Sequence, residues 1–343
     1  DNGSEVDPTP RIAEVLPTAY VKRLGEDRGF SAAANESLTA VEGSAFHLVL
    51  HDDVRLDPDA VTQLVSEAFR ANAGIVGPKL VDWDDRGRLV SAGYSVDTYG
   101  HATEVVEPGE LDQSQHDTPR EVFALSDACL LVRSDLFRTL GGFSEDLPYF
   151  GEDVDLCWRA HVAGATVRFC PAAVAAHRNR FGERRAVEDR ERLELRHEAR
   201  STFTNYEPFR VLRLLPAVVV LSLVDLVGSL VMGRFRRAGD IVASWAWNLV
   251  KLPSLFRARS RVKRIRRAHD ADYVHLMRQG SARLVSLVRP KASRSSVSCA
   301  MLPGRTATNS SPPKRATSPP RGVTTSSMQR AAWCRQSSPA RWP

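Results

Sequence analysis

The feature that most constrains this fold is a repeated alternation of apolar, strand-type runs with segments of helical spacing. A short strand at 20–24 and a helix at 31–42 are expected first. Apolar runs follow at 46–50, 75–83 and 122–134, with helical patterns at 58–73, 134–143 and 152–164. Strands that alternate with helices predict an α/β fold with a Rossmann-like, mostly parallel sheet flanked by helices.

Polar residues end several of the predicted strands. His51, Asp52 and Asp53 follow the run 46–50, and His177 closes a later short strand. The opening tetrapeptide DNGS, which starts at Asp1, is turn chemistry of the kind that follows a strand. Ligands of open α/β sheets bind at the carboxyl ends of strands, so these residues predict one shared site.

Charge is unevenly divided along the chain. Residues 1–213 carry 24 basic and 37 acidic side chains, whereas residues 214–343 carry 23 basic and 4 acidic ones. An acidic globular part is unlike a nucleic-acid-binding domain and suits a divalent metal with a phosphorylated ligand. The basic part suits an anionic membrane surface, so we expect a membrane partner and no nucleic acid.

The cysteines indicate the redox compartment of the protein, and the first residues indicate where its domain begins. The five cysteines follow no CxxC pattern, which excludes a disulfide scaffold and gives no indication of a zinc site. A reducing, cytosolic setting is expected for the folded part. Residue 1 is Asp, no signal-peptide pattern follows it, and no strand precedes the opening turn. We therefore expect an N-terminal truncation.

Two apolar stretches lie in the second half of the chain. Residues 214–233 have the length of a membrane-spanning helix, and their one charge, Asp225, is costly at a bilayer centre. Residues 241–256 fit an interfacial or second short membrane helix, and the basic run 257–267 belongs on the cytoplasmic side. A two-span hairpin would place the intervening arginines outside, which a re-entrant or interfacial arrangement avoids.

These patterns divide the chain into three parts. An α/β domain is expected over residues 1–205, and membrane-associated helices with a basic flank over residues 206–290. Residues 291–343 contain nine basic and no acidic side chains, many Ser, Pro and Thr, and no periodic pattern. This composition predicts a disordered, low-complexity tail.

The turn His51-Asp52-Asp53 is a candidate metal site. Two adjacent carboxylates are costly to hold together without a cation, and hard oxygen ligands suit Mg²⁺ or Mn²⁺ bridging to a diphosphate. The alternative is an ordinary turn before a helix, although Asp57 ahead of Pro58 already provides a cap. The motif alone leaves both interpretations open.

A second acidic group opens the predicted helix at 152–164. The macrodipole favours Glu152, Asp153 and Asp155 at a helix N-terminus whatever their function. Alternatively, one of them is a general base, since deprotonating a hydroxyl needs a carboxylate or histidine within hydrogen-bond reach. His177 is either a surface residue or a third metal ligand. The arginines that follow it, at 178–185, are either a phosphate clamp or a solvated face.

Five segments occur in the order found in one enzyme family. DNGS, DRGFSAAANESL, LVLHDDV, LGGFSEDLPYFGEDVDLCWRAHVAG and a strand-end histidine resemble the family 2 glycosyltransferases of the GT-A fold. The resemblance covers roughly residues 1–205 and is nearest to the bacterial rhamnosyltransferase and galactofuranosyltransferase-like branch. GEDVDLCWRA is specific, and the ordered series is stronger than any single motif.

The resemblance implies roles for individual residues. Asp153 corresponds to the catalytic base and Glu152 to its acidic neighbour. Asp1 corresponds to a contact with the base or ribose of the sugar nucleotide. The nucleotide-proximal turn and helix of the family correspond here to Arg28, Gly29 and Asn35.

The resemblance also implies a metal site for Mg²⁺ or Mn²⁺. Asp53 corresponds to the second Asp of the family's metal-binding motif, with Asp52 as a helper. His177 corresponds to the histidine that completes the site in some members. His51 departs from the family pattern at the first position, so metal binding rests on Asp53.

The implied reaction is inverting sugar transfer. The metal neutralises the diphosphate leaving group of a nucleotide-diphosphate sugar, and Asp153 removes a proton from the acceptor hydroxyl that attacks the anomeric carbon. The membrane-associated part implies a lipid-linked or cell-envelope glycan acceptor at the cytoplasmic face of the cell membrane. Family members carry a strand, a helix and a second strand ahead of DNGS. We therefore expect this chain to lack part of its donor pocket and to be weakened or inactive.

Two other functions are compatible with parts of the sequence. A nucleotidyltransferase would also use metal-bound carboxylates, but it would need a Gly-rich phosphate loop near the N-terminus. A non-catalytic, membrane-anchored scaffold would use its basic segments to hold anionic lipid. The scaffold interpretation predicts that Asp53 and Asp153 are dispensable.

Overall fold

The computed structural model describes residues 1–179 and 187–280. Six helices precede residue 179: Thr9–Val15 (α1), Phe30–Asn35 (α2), Ser37–Ala40 (α3), Ala60–Arg70 (α4), Ser134–Leu140 (α5) and Glu152–Val162 (α6). The later helices are Val187–Asn205 (α7), Pro208–Val231 (α8), Phe235–Val250 (α9), Leu252–Ile265 (α10) and Asp270–Tyr273 (α11), followed by a 3₁₀ turn at Val274–Leu276.

The strands form one large sheet and one hairpin. They are Phe46–Leu50 (β1), Val54–Leu56 (β2), Ile75–Asp82 (β3), Leu89–Ser91 (β4), Tyr94–Val96 (β5), Ala102–Glu104 (β6), Arg120–Glu121 (β7), Cys129–Arg133 (β8) and Val167–His177 (β9). The sheet order is β1-β8-β3-β9-β2, with β4 paired to β3 and β7 to β9, while β5 and β6 pair with each other.

The α/β class is confirmed, and the directions of the described strands are mixed. β3 and β9 are parallel, but β8 runs antiparallel to both β1 and β3, and β2 runs antiparallel to β9. The expectation of a mostly parallel sheet therefore needs correction. Parallel pairing requires a crossover, usually helical, and α5 and α6 provide one between β3 and β9. No helix lies between β3 and β8.

Strand β9 contains a bulge that its sequence explains. Cys170 lies opposite Pro78, but the next paired residue, Val174, lies opposite Lys79, so three residues of β9 have no counterpart. The first of them is Pro171, which cannot donate a ladder hydrogen bond. The bulge accommodates both prolines and still lets β9 continue to His177, opposite Asp82.

The predicted strand at 20–24 is wrong. Leu24 makes an isolated bridge with Asn2. The charged side chains of this segment instead form ion pairs, Lys22 with Glu36 and Arg23 with Asp1. The predicted helix at 31–42 forms as α2 and α3.

Helix α6 is buried along its whole length. Trp158 packs edge-on against Phe123 and Tyr206, with ring centroids 5.3 and 4.7 Å away. Arg159 forms a buried ion pair with Asp155 at 2.7 Å and donates to the backbone carbonyls of Leu140 and Gly142, at and just after the end of α5. A helix fixed in this way holds its first-turn acidic side chains in place.

The C-terminal helices share the hydrophobic core of the sheet domain. Tyr206, Val262, Tyr273 and Met277 belong to the same buried cluster as Trp158. In the described part of the chain one helix, α8, has the length and composition to cross a membrane. The predicted boundary near residue 205 stays a prediction.

Other predictions for this half are partly met. The charged segment after β9 contains α7, and α8 contains most of the apolar stretch 214–233. The stretch 241–256 is divided at Lys251 into the end of α9 and the start of α10. Proline disrupts a continuing helix but is tolerated in a first turn, so Pro253 favours a new helix at this point. The predicted tail at 291–343 lies outside the described residues.

Candidate active site

Three possible metal ligands meet where β1, β2 and β9 come together. The turn after β1 leads directly into β2, whose Val54 faces His177 at the end of β9. This register brings Asp53 Oδ1 to 3.2 Å from His177 Nε2. One possible ligand atom from each of His51, Asp53 and His177 lies within 4.8 Å of the other two. The structure thus unites both predicted metal ligands and adds His51, while Asp52 is exposed in the turn.

The donor chemistry of this cluster fits a divalent cation. His177 Nδ1 is buried and has no hydrogen-bond partner among the described residues. Burial, and then the neighbouring His51, lower the pKa of His177 against the opposing effect of Asp53. The neutral imidazole favoured by this environment is the form that binds metals. Burial also acts to lower the pKa of His51, but three carboxylates outweigh it and raise that pKa: Asp127, Asp53 and Asp153.

The predicted acidic pair lies beside this cluster, at the first turn of α6. Asp127 connects the two groups, since its Oδ1 lies 3.4 Å from His51 Nε2 and its carboxyl also raises the pKa of Glu152. Burial and then Asp127 raise the pKa of Asp153 to about 8. Burial, Asp127 and Asp153 likewise raise the pKa of Glu152. A buried carboxylate cluster is costly unless protons or a cation compensate its charge.

The hairpin β5–β6 borders the acidic pair with two further titratable groups. Tyr94 lies opposite Glu104 in the hairpin, and its hydroxyl acts to lower the pKa of both Glu104 and Asp153 against the effect of burial. Burial raises the pKa of Glu104 to about 7. Burial, and then Asp153, raise the pKa of Tyr94. Asp153 therefore lies in a buried group of titratable side chains whose pKa values are shifted towards neutral pH or above it.

Asp1 and Arg28, the two charged residues implied in nucleotide contacts, each form an ion pair with a residue of this chain. Asp1 Oδ2 lies 2.8 Å from Arg23 Nε. Arg28 Nη1 lies 3.2 Å from a carboxylate oxygen of Glu36. The structure places both predicted residues in loops near the start of α2, and their contacts with a nucleotide stay predictions.

Gly29 and Asn35 attach this region to the segment between α5 and α6. Gly29 has a φ of +87°, and a Cβ added to it would lie 2.5 Å from the Cβ of Pro148. The next residue, Phe30, donates its N–H to the Pro148 carbonyl at 2.9 Å. Both ends of the Asn35 amide bond the backbone of Phe143, at 2.9 and 2.7 Å. These contacts hold the chain that leads into the acidic pair.

The one arginine of 178–185 that can be described stacks on an aromatic ring. The Arg178 guanidinium lies 4.4 Å from the centroid of Trp83, and the Arg55 guanidinium lies at the same distance. The remaining predicted phosphate-clamp arginines, at 180, 184 and 185, lie outside the described residues. A cation–π position near the end of β9 keeps Arg178 beside the metal-ligand cluster.

Sequence reasoning missed three residues of the site: Tyr94, Glu104 and Asp127. A signal existed for Asp127, because the pair Ser126-Asp127 interrupts the otherwise apolar run at 122–132. Tyr94 and Glu104 lie in strands of three residues within a polar region, where spacing gives no indication of burial.

Comparison with known proteins decides the family. Residues 8–207, more than half of the chain, match the family described as glycosyltransferase like family 2. The chain belongs to this family. The family resemblance inferred from the ordered motifs is therefore confirmed.

Curated relatives of this glycosyltransferase occur in Mycobacterium tuberculosis. A pre-mycofactocin glycosyltransferase is 32% identical over 157 residues, which cover 45% of this chain and 31% of the relative. An N-acetylglucosaminyl-diphospho-decaprenol L-rhamnosyltransferase is 28% identical over 207 residues, which cover 52% of this chain and 64% of the relative. The glycosyltransferase thus spans less than two thirds of the length of either relative.

Solved structures similar to this glycosyltransferase match it at low scores. S. aureus TarS 1-349 in complex with UDP has a TM-score of 0.42 and 16% identity, over 77% of each chain. The mannosyltransferase PcManGT from Pyrobaculum calidifontis, in complex with GDP-Man and Mn²⁺, has a TM-score of 0.40 and 14% identity, over 84% of this chain and 76% of its own.

Proposed function

We propose that this glycosyltransferase moves a sugar from a nucleotide-diphosphate sugar to a hydroxyl group of a lipid-linked or cell-envelope glycan. The reaction inverts the anomeric configuration and requires a divalent cation. The observation that carries the proposal is the position of the His51, Asp53 and His177 cluster beside the buried carboxyl of Asp153. A diphosphate leaving group and an attacking hydroxyl need these two kinds of group close together.

Asp153 is the proposed general base. It stands at the start of a helix whose other residues are fixed in the core, so its carboxyl has a defined position. The nearby Tyr94 hydroxyl acts to lower the pKa of Asp153 and thereby favours its ionised, proton-accepting form. In a single displacement, the base and the leaving group act on opposite faces of the sugar, which inverts the anomeric carbon.

His51, Asp53 and His177 are the residues that would hold the cation. Imidazole nitrogens suit transition metals better than Mg²⁺, so this donor set favours Mn²⁺ over Mg²⁺. When bound, the cation supplies charge neutralisation for the diphosphate that leaves. The chain's own contribution is to favour the neutral imidazole of His177 and to hold the three ligands together by strand register.

The acceptor is proposed from the relatives and from the apolar helix α8. The name of one relative states that it acts on a decaprenol-linked N-acetylglucosamine. Helix α8 is long and apolar enough to enter a membrane. A rhamnosyl or other hexosyl donor and a lipid-linked acceptor at the cytoplasmic face of the membrane follow as the proposed substrates and location.

The test is a transfer assay on the whole chain in mild detergent. Uridine, thymidine and guanosine diphosphate sugars are each offered with N-acetylglucosaminyl-diphospho-decaprenol, in the presence of Mn²⁺, Mg²⁺ or a chelator. The proposal expects one donor class to give a glycosylated lipid by mass spectrometry, with Mn²⁺ and not with the chelator. Folded protein that binds no sugar nucleotide in the presence of Mn²⁺ would overturn it.

A further inference from the structure

The helix α8 has two distinct faces. Its buried side is a polar stripe, Ser222, Asp225 and Ser229, at helical spacing. From residue 219 to the end of the helix, the exposed side chains are all apolar: Val219, Val220, Leu223, Val224, Val227, Leu230 and Val231. An apolar helix with a single polar stripe is held against protein on one side only.

The polar stripe is fixed by an ion pair with the neighbouring helices. Asp225 is 2% exposed, and its Oδ2 lies 2.9 Å from Arg237 Nη2 of α9. The same guanidinium bonds Glu191, near the start of α7. The end of α8 is thereby bound to a residue on the helix that follows the active-site strand β9.

The rest of α8 follows α7 in the reverse direction. At its start, the Glu207 N–H donates to Asp270 at 2.9 Å, immediately after α7 ends. In its middle, Leu221 and Ser222 line a cavity together with Phe203 and other residues of α7 and α9. From Asn205 back to Glu191, α7 measures about 21 Å, so α8 lies along the catalytic domain for most of its own length of about 36 Å.

Helix α7 cannot enter the hydrocarbon with α8. Residues 190–200 contain seven charged side chains, and charged groups at a bilayer centre are costly. Both of its ends are also tied to the active-site domain. Asn205 donates to Asp155 of α6 at 2.9 Å, and Arg190 lies 5.0 Å from the ring of Phe150, two residues before Glu152.

We propose that α8 does not cross the bilayer but lies in the plane of an anionic membrane surface, with its apolar face in the lipid. The proposal rests on the membrane association put forward above and specifies its form. The lipid surface is favoured over a protein partner by charge, because the next exposed helix surface is basic: Arg257, Arg261, Lys263 and Arg264 on α10. This arrangement places the Glu191 end of α7, and with it Phe150 just ahead of α6, close to the membrane.

Labelling of single cysteines in cells tests the topology. Cys299 and Cys334 are replaced by serine, and Arg234→Cys is placed in the turn between α8 and α9. Gln113→Cys, exposed in the catalytic domain, is the matched control. We expect an impermeant maleimide to label neither position in intact bacteria and both after lysis. Labelling of Arg234→Cys alone in intact cells would show a crossing helix and overturn the proposal.

Spin labels on vesicle-bound protein test the depth. Val227→Cys and Gln113→Cys are labelled and mixed with phosphatidylcholine vesicles with or without phosphatidylglycerol. We expect oxygen accessibility to rise and nickel-complex accessibility to fall at position 227 only. The double change Arg257→Gln/Arg261→Gln should weaken binding to the anionic vesicles about thirtyfold. A label at 227 that stays in water, or that meets a second label in a lipid-independent dimer, would contradict the proposal.

These measurements are independent of turnover. Donor binding and sugar transfer in detergent report on the proposed function, whereas labelling and depth report on α8. Transfer activity with a crossing α8 would reject only this inference. Surface-bound protein without donor binding would reject only the proposed function.

Discussion

Asp53 Oδ1 lies 3.2 Å from His177 Nε2, a contact set by the pairing of β2 with the end of β9. Two residues far apart in sequence are thus held as neighbours by strand register and not by loop conformation. A site built on paired strands is rigid, which favours a bound cation over a transient charge contact.

The first prediction distinguishes the role of Asp53 in metal binding from that of its neighbour Asp52. Asp53→Asn should lower Mn²⁺ affinity by at least the 10–100-fold typical for loss of an outer-shell partner, because a ligand charge is removed. Asp52→Asn, the matched control in the exposed position of the same turn, should leave the affinity nearly unchanged. Titration of free Mn²⁺ by electron paramagnetic resonance measures both. Equal losses in the two variants would place the metal elsewhere.

The second prediction concerns Gly29. Its backbone, at φ +87° and ψ 160°, is in a region essentially restricted to glycine, and a Cβ there would collide with Pro148. Gly29→Ala should reduce the free energy of unfolding by about 1–3 kcal/mol. Gly25→Ala, where an added Cβ meets no atom within 4 Å, is the control. Chemical denaturation in detergent compares them, and equal stability would refute the packing role.

The third prediction is a loss of stability in acid caused by His161. Burial lowers the pKa of this residue to about 4, and its Nε2 donates to the Phe123 carbonyl at 2.9 Å. As the pH falls, His161 therefore becomes protonated near pH 6.5 in the unfolded chain but only near pH 4 in the folded chain. Stability from this residue is full above pH 6.5 and declines as the pH falls towards 4, by on the order of 3 kcal/mol.

The matched variant for this effect is His161→Gln, which keeps a donor and does not titrate. Its free energy of unfolding should fall less between about pH 7 and about pH 4.5 than that of the wild type. Urea titrations at the two pH values give the difference. Parallel pH dependence in both proteins would show that His161 does not contribute.

The fourth prediction concerns the ion pair that fixes α8. Arg237→Met leaves Asp225 buried without its cation and should cost about 2–3 kcal/mol, somewhat below a fully buried pair because Arg237 is 24% exposed. The double variant Asp225→Leu/Arg237→Met should recover most of that loss. Thermal unfolding of both in detergent checks this, and additive losses would show that the two residues act independently.

Much of the fold follows from local patterns in the sequence. The long apolar runs form β1 and β3, the amphipathic spacing forms α4, and the acidic segment forms α6. Prediction from the sequence fails where tertiary contacts decide the secondary structure or the direction of a strand. The direction of β8 depends on a connection without a helix, and the strand expected at 20–24 gives way to ion pairs.

The residues of the site can also be divided into those that the sequence predicts and those that it does not. Asp53, Asp153 and His177 stand at predictable ends of strands and helices, so their proximity could be expected from the sequence. Tyr94 and Glu104 could not be placed, because only the pairing of two very short strands buries them beside Asp153. The register of β2 on β9, which joins His51 to the cluster, is likewise a property of the folded sheet.

The most direct measurement is the rate of sugar transfer by Asp153→Asn relative to the wild type, with Mn²⁺ and a bound donor. Asp59→Asn, exposed at the start of α4, serves as the control for charge. A general base at this position predicts a fall in turnover of about 10²–10⁴-fold with little change in donor affinity. Wild-type turnover in Asp153→Asn would contradict the assignment of the base and the mechanism built on it.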